Sequence, residues 1–135
     1  MIEPTYLCGM QAFLQDLFKN QEYDQKNFFL IAGPCVIEDQ ALVEQIASHV
    51  SGLCKELGIP YIFKASYRKA NRTSASSFTG LGDSFGLDLL KQTGEKFNVP
   101  TTTDIHSADE AGMAAPYADI LQIPAFLCRQ TDLLI

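Results

Sequence analysis

Short, mostly apolar segments alternate along the chain with longer stretches whose apolar residues recur at helical spacing. Turn-forming residues such as Gly, Pro, Asn and Asp flank the short segments, which is typical of buried strands. Four strands are predicted, near residues 28–32, 60–64, 100–104 and 119–123. Mostly apolar strands that alternate with helices indicate a parallel sheet covered on both faces, and therefore an α/β fold.

The connections between these strands carry the helical pattern. The first helix is expected to begin after Asp39 and to end at Gly58 and Pro60, which disfavour its continuation. Three further helices are predicted: residues 83–97, the segment "SADEAGMAA" with Ser107 as its cap, and a helix beginning within "RQTDLLI" at residues 129–135. Residues 66–82 are predicted to form a long polar loop.

The βα order fits either a doubly wound sheet or a (β/α)8 barrel. A complete barrel takes about 250 residues. If the fold is a barrel, residues 28–135 form its N-terminal half, about four βα units, and the chain stops inside the fourth helix of that half. Residues 1–27 are then an N-terminal extension, in which the spacing of "MQAFLQDLFKN" predicts a short helix.

Polar side chains gather where the predicted strands end. Active sites of barrels and open α/β sheets lie at the carboxyl ends of their strands. We therefore expect the functional site at this end of the sheet. The residues concerned are Cys35, Lys64, Ser66, Asp104, His106 and Gln122.

Composition narrows the class of protein. Of the 135 residues 47% are hydrophobic and 19% charged, which indicates a globular chain. The net charge of −6 argues against nucleic-acid binding, and apolar runs of about six residues fall short of the roughly 20 that span a bilayer. The four cysteines form no C-x-x-C pair, which favours a reduced, cytoplasmic enzyme over a disulfide scaffold.

Positive charge is concentrated in "KASYRKANRTS" at residues 64–74. Four of the ten Lys and Arg residues lie there, mixed with hydroxyl and amide side chains. Guanidinium, ammonium and hydroxyl groups together suit a small anion such as a phosphate or carboxylate. The alternative is a solvated charged loop. The chain contains no G-x-x-x-x-G-K-[ST] loop, and "GLGDSFG" lacks the spacing of a dinucleotide motif.

Four motifs carry a family resemblance. "IAGPC" (31–35), "GIPYIFKASYRKANRTS" (58–74), "TDIH" (103–106) and "LQIPAFLCRQTDLL" (121–134) follow one another in this order. Together they resemble the 3-deoxy-D-manno-octulosonate 8-phosphate synthase family. The resemblance implies a (β/α)8 barrel, usually a homotetramer. It also implies a transferase that condenses phosphoenolpyruvate with arabinose 5-phosphate in lipopolysaccharide synthesis.

The resemblance also implies roles for individual residues. Lys64 and Lys69 match lysines that face phosphoenolpyruvate. Lys69 is also a candidate catalytic residue, together with Asp104. Ser66 is a candidate for substrate binding. The match to the sugar-phosphate segment covers Asn71, Arg72 and Thr73. The match to the floor of the phosphoenolpyruvate pocket covers Gln122, Pro124 and Ala125, and the match to residues lent by a neighbouring subunit covers Phe126 and Arg129.

The resemblance also implies one ligand of a metal site. Metal-dependent members of the family have Cys at the position of Cys35, where metal-independent members have Asn. A thiolate suits a divalent ion such as Zn, Fe or Mn, and the remaining ligands of the family lie beyond residue 135. His106 is interpreted as a pocket-wall or structural histidine and Cys128 as a packing residue.

Two alternatives to this activity remain. A sister synthase makes a seven-carbon product from erythrose 4-phosphate, but it carries a K-P-R-T-like stretch where this chain has "KANRTS". A truncated chain with open strand edges would be inactive and aggregation-prone, and we expect the 135 residues alone to lack catalysis. One further departure is "FTGLG", which stands where the family has an R-G-P-G turn.

Overall fold

The structure, a computed structural model, describes residues 4–69 and 80–134. Asn71, Arg72 and Thr73 lie outside the described residues. The helices are α1 (Pro4–Leu17), α2 (Gln40–Leu57), α3 (Asp83–Phe97), α4 (Ala108–Ala114) and α5 (Thr131–Leu134), with a 3₁₀ turn at Ala125–Leu127. The strands are β1 (Leu30–Ala32), β2 (Tyr61–Lys64), β3 (Thr101–Asp104) and β4 (Ile120–Gln122).

The four strands form one parallel sheet in the order β1-β2-β3-β4. A doubly wound sheet reverses its strand order at a switch point, whereas a barrel adds strands in sequence. The register is also staggered, since Ala32 pairs with Phe63 and Lys64 pairs with Thr102, each short of the end of the next strand. Such stagger is what barrel closure requires. The predicted α/β barrel fold, of which the chain forms four units, is confirmed.

Helices α2 and α3 cover one face of the sheet. Tyr61 and Phe63 of β2 point to this face and pack in a buried cluster with Val43 of α2 and Leu90 of α3. Successive strand residues point to opposite faces, so Ile62 and Lys64 point to the other side, the inner side of a barrel. Burial of the helix-covered face therefore fixes the direction in which Lys64 points.

Local signals in the sequence determine where α2 begins and ends. The carboxylate of Asp39 accepts a hydrogen bond from the backbone N–H of Leu42 at 2.8 Å, which caps the first turn. Gly58 ends the helix in the left-handed conformation, with φ at 64°. The sequence predicts both ends.

The segment after α1 is attached to the amino end of the sheet. Phe18 is 1% exposed and packs against the rings of Tyr23 and Phe29. The side-chain amide of Gln21 accepts from the backbone N–H of Tyr61 at 2.8 Å and donates to the carbonyl of Tyr61 at 2.9 Å. Gln21 thus hydrogen-bonds the first residue of β2 as a neighbouring strand would.

The structure differs from the sequence prediction in several details. The strands are one or two residues shorter, and the 3₁₀ turn after β4 was not predicted. Ser66 and Tyr67, predicted in the polar loop, are buried. Ser107 occupies the N-cap position of α4 without a side-chain capping bond.

The prediction that Cys128 packs is wrong, because its thiol is exposed. Cys128 directly follows a 3₁₀ turn none of whose own residues is buried. Among the described residues, no helix has both the length and the apolar character needed to cross a membrane.

Replacing Gln21 tests the attachment of the N-terminal segment. Gln21→Ala leaves two backbone groups of Tyr61 without these partners, so we expect the free energy of unfolding to fall by about 1–3 kcal/mol. Asn20→Ala is the matched control, since the side-chain bond of Asn20 within the described part of the chain is an exposed one to Asn98, and its effect should stay within about 0.5 kcal/mol. Urea unfolding measures both, and equal effects of the two substitutions would contradict the prediction.

Candidate functional site

The candidate site lies at the carboxyl end of the parallel sheet. Lys64, Asp104 and Gln122 are the last residues of β2, β3 and β4. Lys64 pairs with Thr102, and Asp104 pairs with Gln122. The register therefore brings a cation, a carboxylate and an amide to one edge from three consecutive strands.

Lys64, Ser66 and Asp104 form a hydrogen-bonded group. The Lys64 Nζ lies 3.3 Å from Ser66 Oγ and 3.4 Å from Asp104 Oδ1. The hydroxyl of Ser66 donates to the same Asp104 oxygen. The Lys64 side chain is 28% exposed and that of Asp104 16% exposed, so the ammonium remains accessible while the carboxylate is largely covered.

Asp104 is held as a carboxylate by its neighbours. Burial by itself raises the pKa of Asp104, but the hydrogen bond from Ser66 and the charge of Lys64 outweigh it and lower the pKa below the ordinary 3.8. Asp104 is therefore ionised at neutral pH. An ionised carboxylate only accepts hydrogen bonds, which suits it to orient donors.

His106 connects Asp104 to the first turn of α4. Its Nε2 lies 3.0 Å from Asp104 Oδ2, and its Nδ1 lies 3.2 Å from Glu110 Oε2. The backbone N–H of His106 also donates to Glu110 Oε2 at 2.9 Å. His106 is thus a bridging residue between two carboxylates, with a side chain only 12% exposed.

Glu110 collects further donors from the segment after β2. The Tyr67 hydroxyl donates to Glu110 Oε2 at 2.5 Å, and the Arg68 guanidinium donates to Oε1. Burial by itself raises the pKa of Glu110, but the bonds from Tyr67 and from the His106 N–H, together with the charge of Arg68, lower it below the ordinary 4.5. Burial and then the bond to Glu110 raise the pKa of the Tyr67 phenol.

Arg68 has a second carboxylate partner. Its NH1 atom lies 3.5 Å from Asp83 Oδ2, at the first residue of α3. The four basic residues of "KASYRKANRTS" are therefore not equivalent, because Arg68 is paired with Glu110 and Asp83 and Lys64 is paired with Asp104. Sequence reasoning counted Arg68 with the anion-binding charge and missed Tyr67, Asp83 and Glu110.

The end of β1 lies against the end of β2. A Cβ added at Gly33 would stand 1.9 Å from the backbone oxygen of Lys64, so only a glycine fits. The backbone N–H of Ile37 donates to the carbonyl of Ser66 at 3.0 Å. Cys35 lies between these two contacts, and its thiol is free and exposed. The described residues hold no group of three or more His, Cys, Asp or Glu side chains placed to bind a metal.

The other candidate residues follow the carboxyl ends of β2 and β4. None of the described hydrogen bonds joins them to Lys64, Ser66 or Asp104. Lys69 is exposed and follows Arg68 directly. Pro124 precedes the 3₁₀ turn, which contains Ala125 and Phe126. The Phe126 side chain is 62% exposed. Arg129, two residues beyond the turn, is exposed too.

Two clefts lie at the opposite, amino end of the sheet. Their volumes are about 430 and 640 Å³, and both are lined by Gln21, Asn98 and Val99. Because parallel α/β folds carry their chemistry at the carboxyl ends of the strands, we assign the site to the Lys64 group and not to these clefts.

A profile of the DAHP synthetase I family matches residues 19–135. The chain belongs to the DAHP synthetase I family. The matched part contains all four strands and every residue of the candidate site, and it begins just after α1. The (β/α)8 barrel of the DAHP synthetase I family agrees with the strand order observed here.

Two curated relatives of the chain carry the same name. The chain is 55% identical over 117 residues to a 2-dehydro-3-deoxyphosphooctonate aldolase of Koribacter versatilis, covering 87% of this chain and 42% of the relative. It is 56% identical over 111 residues to the protein of that name from Fusobacterium nucleatum, covering 82% and 40%. The chain therefore spans about two-fifths of the length of these relatives.

The lowered pKa of Glu110 should make the free energy of unfolding depend on pH in the acid range. A carboxylate whose pKa is lower in the folded than in the unfolded state stabilises the fold above its unfolded value, and the contribution is lost as the pH falls through the folded value. We therefore expect wild type to have a larger free energy of unfolding than Glu110→Gln at pH 7. The difference should shrink as the pH falls below the ordinary glutamate pKa of 4.5.

Urea unfolding at a series of pH values measures this difference. Glu22→Gln is the control, since Glu22 is exposed, and its profile should follow that of wild type. A gap between wild type and Glu110→Gln that stays constant to about pH 3, well below the ordinary pKa of a glutamate, would show that the Glu110 charge contributes no folding energy.

Proposed function

We propose that this chain contributes the phosphoenolpyruvate side, and part of the sugar-phosphate side, of the active site of a synthase making 3-deoxy-D-manno-octulosonate 8-phosphate. The observation that carries the proposal is the hydrogen-bonded group of Lys64, Ser66 and Asp104 at the strand ends. The relatives named 2-dehydro-3-deoxyphosphooctonate aldolase, at 55 and 56% identity, support this product.

The reaction joins two anionic substrates. C3 of phosphoenolpyruvate forms a bond to the aldehyde carbon of D-arabinose 5-phosphate, water adds at C2, and the phosphate leaves as inorganic phosphate. The substrates carry two phosphates and a carboxylate, so most of the catalysis comes from neutralising this charge and from holding C3 near the aldehyde. A cluster of cations next to hydrogen-bonding side chains supplies both effects.

Lys64 is the residue that we assign to phosphoenolpyruvate first. An ammonium has three donors, and the bonds to Ser66 and Asp104 direct Lys64 while leaving a donor for a substrate anion. Lys69 adds a second cation in the same role. Asp104, ionised and acceptor-only, orients Lys64 and can accept a hydrogen bond from the sugar or from the attacking water.

The remaining candidates complete the two subsites. We assign the sugar phosphate to Asn71, Arg72 and Thr73, whose guanidinium, amide and hydroxyl groups suit a phosphate. The floor of the phosphoenolpyruvate pocket is assigned to Gln122, Pro124 and Ala125.

Phe126 and Arg129 are assigned to the sugar-phosphate site of a neighbouring subunit in a homotetramer. The exposure of both residues supports this assignment. A side chain that completes the site of another subunit has to be accessible on the surface of its own.

The test uses a joined protein: residues 1–135 followed by the part of the Koribacter versatilis relative that continues beyond the matched segment. Phosphate release from phosphoenolpyruvate is measured with arabinose 5-phosphate or erythrose 4-phosphate as acceptor. We expect turnover with arabinose 5-phosphate. Lys64→Ala removes a charge-assisted contact worth about 1.5–3 kcal/mol, so kcat/KM for phosphoenolpyruvate should fall about ten- to a hundredfold.

Lys55→Ala is the matched control, because Lys55 lies in the last turn of α2 and outside the site, and its kinetics should equal those of the unmodified joined protein. A preference for erythrose 4-phosphate would assign the chain to the seven-carbon synthases instead. Equal kinetics of Lys64→Ala and Lys55→Ala would remove Lys64 from the site.

We also propose that Cys35 is one ligand of a divalent metal in the full site. An exposed, free thiol at the end of β1 fits as a single ligand, since a thiolate binds Zn, Fe or Mn, and the other ligands must come from outside the described residues. When bound, the metal would supply Lewis-acid chemistry, orienting the aldehyde or polarising water. The role of this chain would be to hold the Cys35 thiol next to the end of β2.

Metal removal tests the role of Cys35. Dialysis of the joined protein against EDTA should abolish turnover, and Cys35→Ser should lower the metal bound per chain measured by elemental analysis. Cys128→Ser, at another exposed cysteine, should leave the metal content unchanged. Full turnover after EDTA treatment, with no metal detected, would refute the proposal.

A further inference from the structure

A continuous series of contacts connects Glu110 of α4 to the lysine at the end of β2. Glu110 contacts His106, His106 contacts Asp104, and Asp104 contacts Lys64. None of the contacts described for Glu110 goes to Lys64 directly. We propose that Glu110 is a positioning residue for phosphoenolpyruvate, which orients the Lys64 ammonium through His106 and Asp104. The inference deepens the proposed function and rests on it.

The Lys64 ammonium depends on its neighbours for its position. A lysine carries a compact charge on a flexible stem. The Lys64 Nζ lies 3.3 Å from Ser66 Oγ and 3.4 Å from Asp104 Oδ1, and both distances are long for a hydrogen bond. Ser66 is itself bonded to the same Asp104 oxygen. The orientation of the Asp104 carboxylate therefore determines where the ammonium points.

The two oxygens of Asp104 have separate partners. Oδ1 faces Ser66 and Lys64, whereas Oδ2 lies 3.0 Å from His106 Nε2. Because a carboxylate is planar and rigid, a contact that fixes Oδ2 also fixes the direction of Oδ1. His106 thus controls the oxygen that Lys64 contacts without touching Lys64.

Glu110 holds His106 by its backbone and by its ring. Glu110 Oε2 accepts from the backbone N–H of His106 at 2.9 Å and lies 3.2 Å from the ring Nδ1. One oxygen therefore fixes the ring relative to its own main chain. Without this contact the ring could rotate, and its Nε2 would no longer be directed at Asp104.

The Glu110 carboxylate is itself anchored by donors from the connection that follows β2. The Tyr67 hydroxyl donates to Oε2 at 2.5 Å, and the Arg68 guanidinium donates to Oε1 and also contacts Asp83. The side chains of Glu110 and His106 are each 12% exposed, so water competes little for the contact between them. An anchored carboxylate suits the role of orienting a flexible cation, since preorganisation reduces the ordering that a side chain undergoes when a ligand binds.

A double-mutant cycle tests whether Glu110 acts through Lys64. In the joined protein, Glu110→Ala should lower kcat/KM for phosphoenolpyruvate about tenfold, because it misdirects the ammonium without removing it. In the Lys64→Ala background the same change should cost less than about twofold, since effects that pass through one residue do not add. Glu110→Gln keeps one acceptor oxygen and should be intermediate.

Two further variants complete the cycle. Glu44→Ala is the matched control, since Glu44 pairs with Lys96 on the outer helices α2 and α3, and it should leave the kinetics unchanged in both backgrounds. Tyr67→Phe removes one donor to Glu110 and leaves its carboxylate in place. It should give a smaller loss that also disappears with Lys64→Ala, and it provides the test if Glu110→Ala does not fold.

A binding measurement needs no turnover. Calorimetric titration of the joined protein with phosphoenolpyruvate alone should show Kd raised about tenfold by Glu110→Ala when Lys64 is present. With Lys64→Ala the rise should stay below about twofold. Equal losses in the two backgrounds would show that Glu110 supports the fold and does not act through Lys64, and they would overturn the proposal. An unchanged Kd in Glu110→Ala, or no binding by the unmodified joined protein, would overturn it too.

The two measurements separate this inference from the proposed function. If the joined protein binds phosphoenolpyruvate with the expected coupling but condenses it with neither sugar phosphate, the proposed function fails while the positioning role of Glu110 stands. If the joined protein makes the eight-carbon product but the losses add, the proposed function stands and the positioning role fails.

Discussion

The pairing of Lys64 with Asp104 is the interaction on which the site depends, and it exists only in one register of β2 and β3. Lys64 pairs with Thr102, so Asp104 lies two residues further along and on the same face. A slip of one residue would turn Asp104 toward the helices, where an unpaired carboxylate is costly to bury. Phe63, packed beneath α2 and α3, opposes that slip.

The sequence predicts the architecture because two periodicities alternate along it and because parallel strands bring their carboxyl ends together. Lys64, Ser66 and Asp104 could be expected to meet on that ground alone. The start of β1 was harder to predict from the sequence than the order of the strands. The ring of Phe29 packs against Phe18 before the chain joins the sheet, and a local apolar pattern does not distinguish packing under the sheet from pairing within it.

Glu110 shows a different limit of sequence reasoning. "SADE" reads as a capping box, in which Ser107 and Glu110 would satisfy the backbone of the helix start. In the fold Ser107 makes no capping bond, and the Glu110 carboxylate accepts instead from Tyr67, Arg68 and the His106 N–H. Those partners come mainly from another strand-to-helix connection. A one-dimensional pattern does not show which donors the fold brings to this carboxylate from another part of the chain.

The tight contact at Gly33 has a consequence for how this sequence can vary. In a library of alanine substitutions, Gly33 should tolerate no side chain, because the added atom would collide with the backbone of the residue that supplies the site's ammonium. Gly52, in the middle of α2, faces open space, and alanine there should favour the helix by up to about 1 kcal/mol. The two glycines should therefore respond to alanine in opposite ways. Gly33→Ala should disrupt the site, whereas Gly52→Ala should stabilise α2.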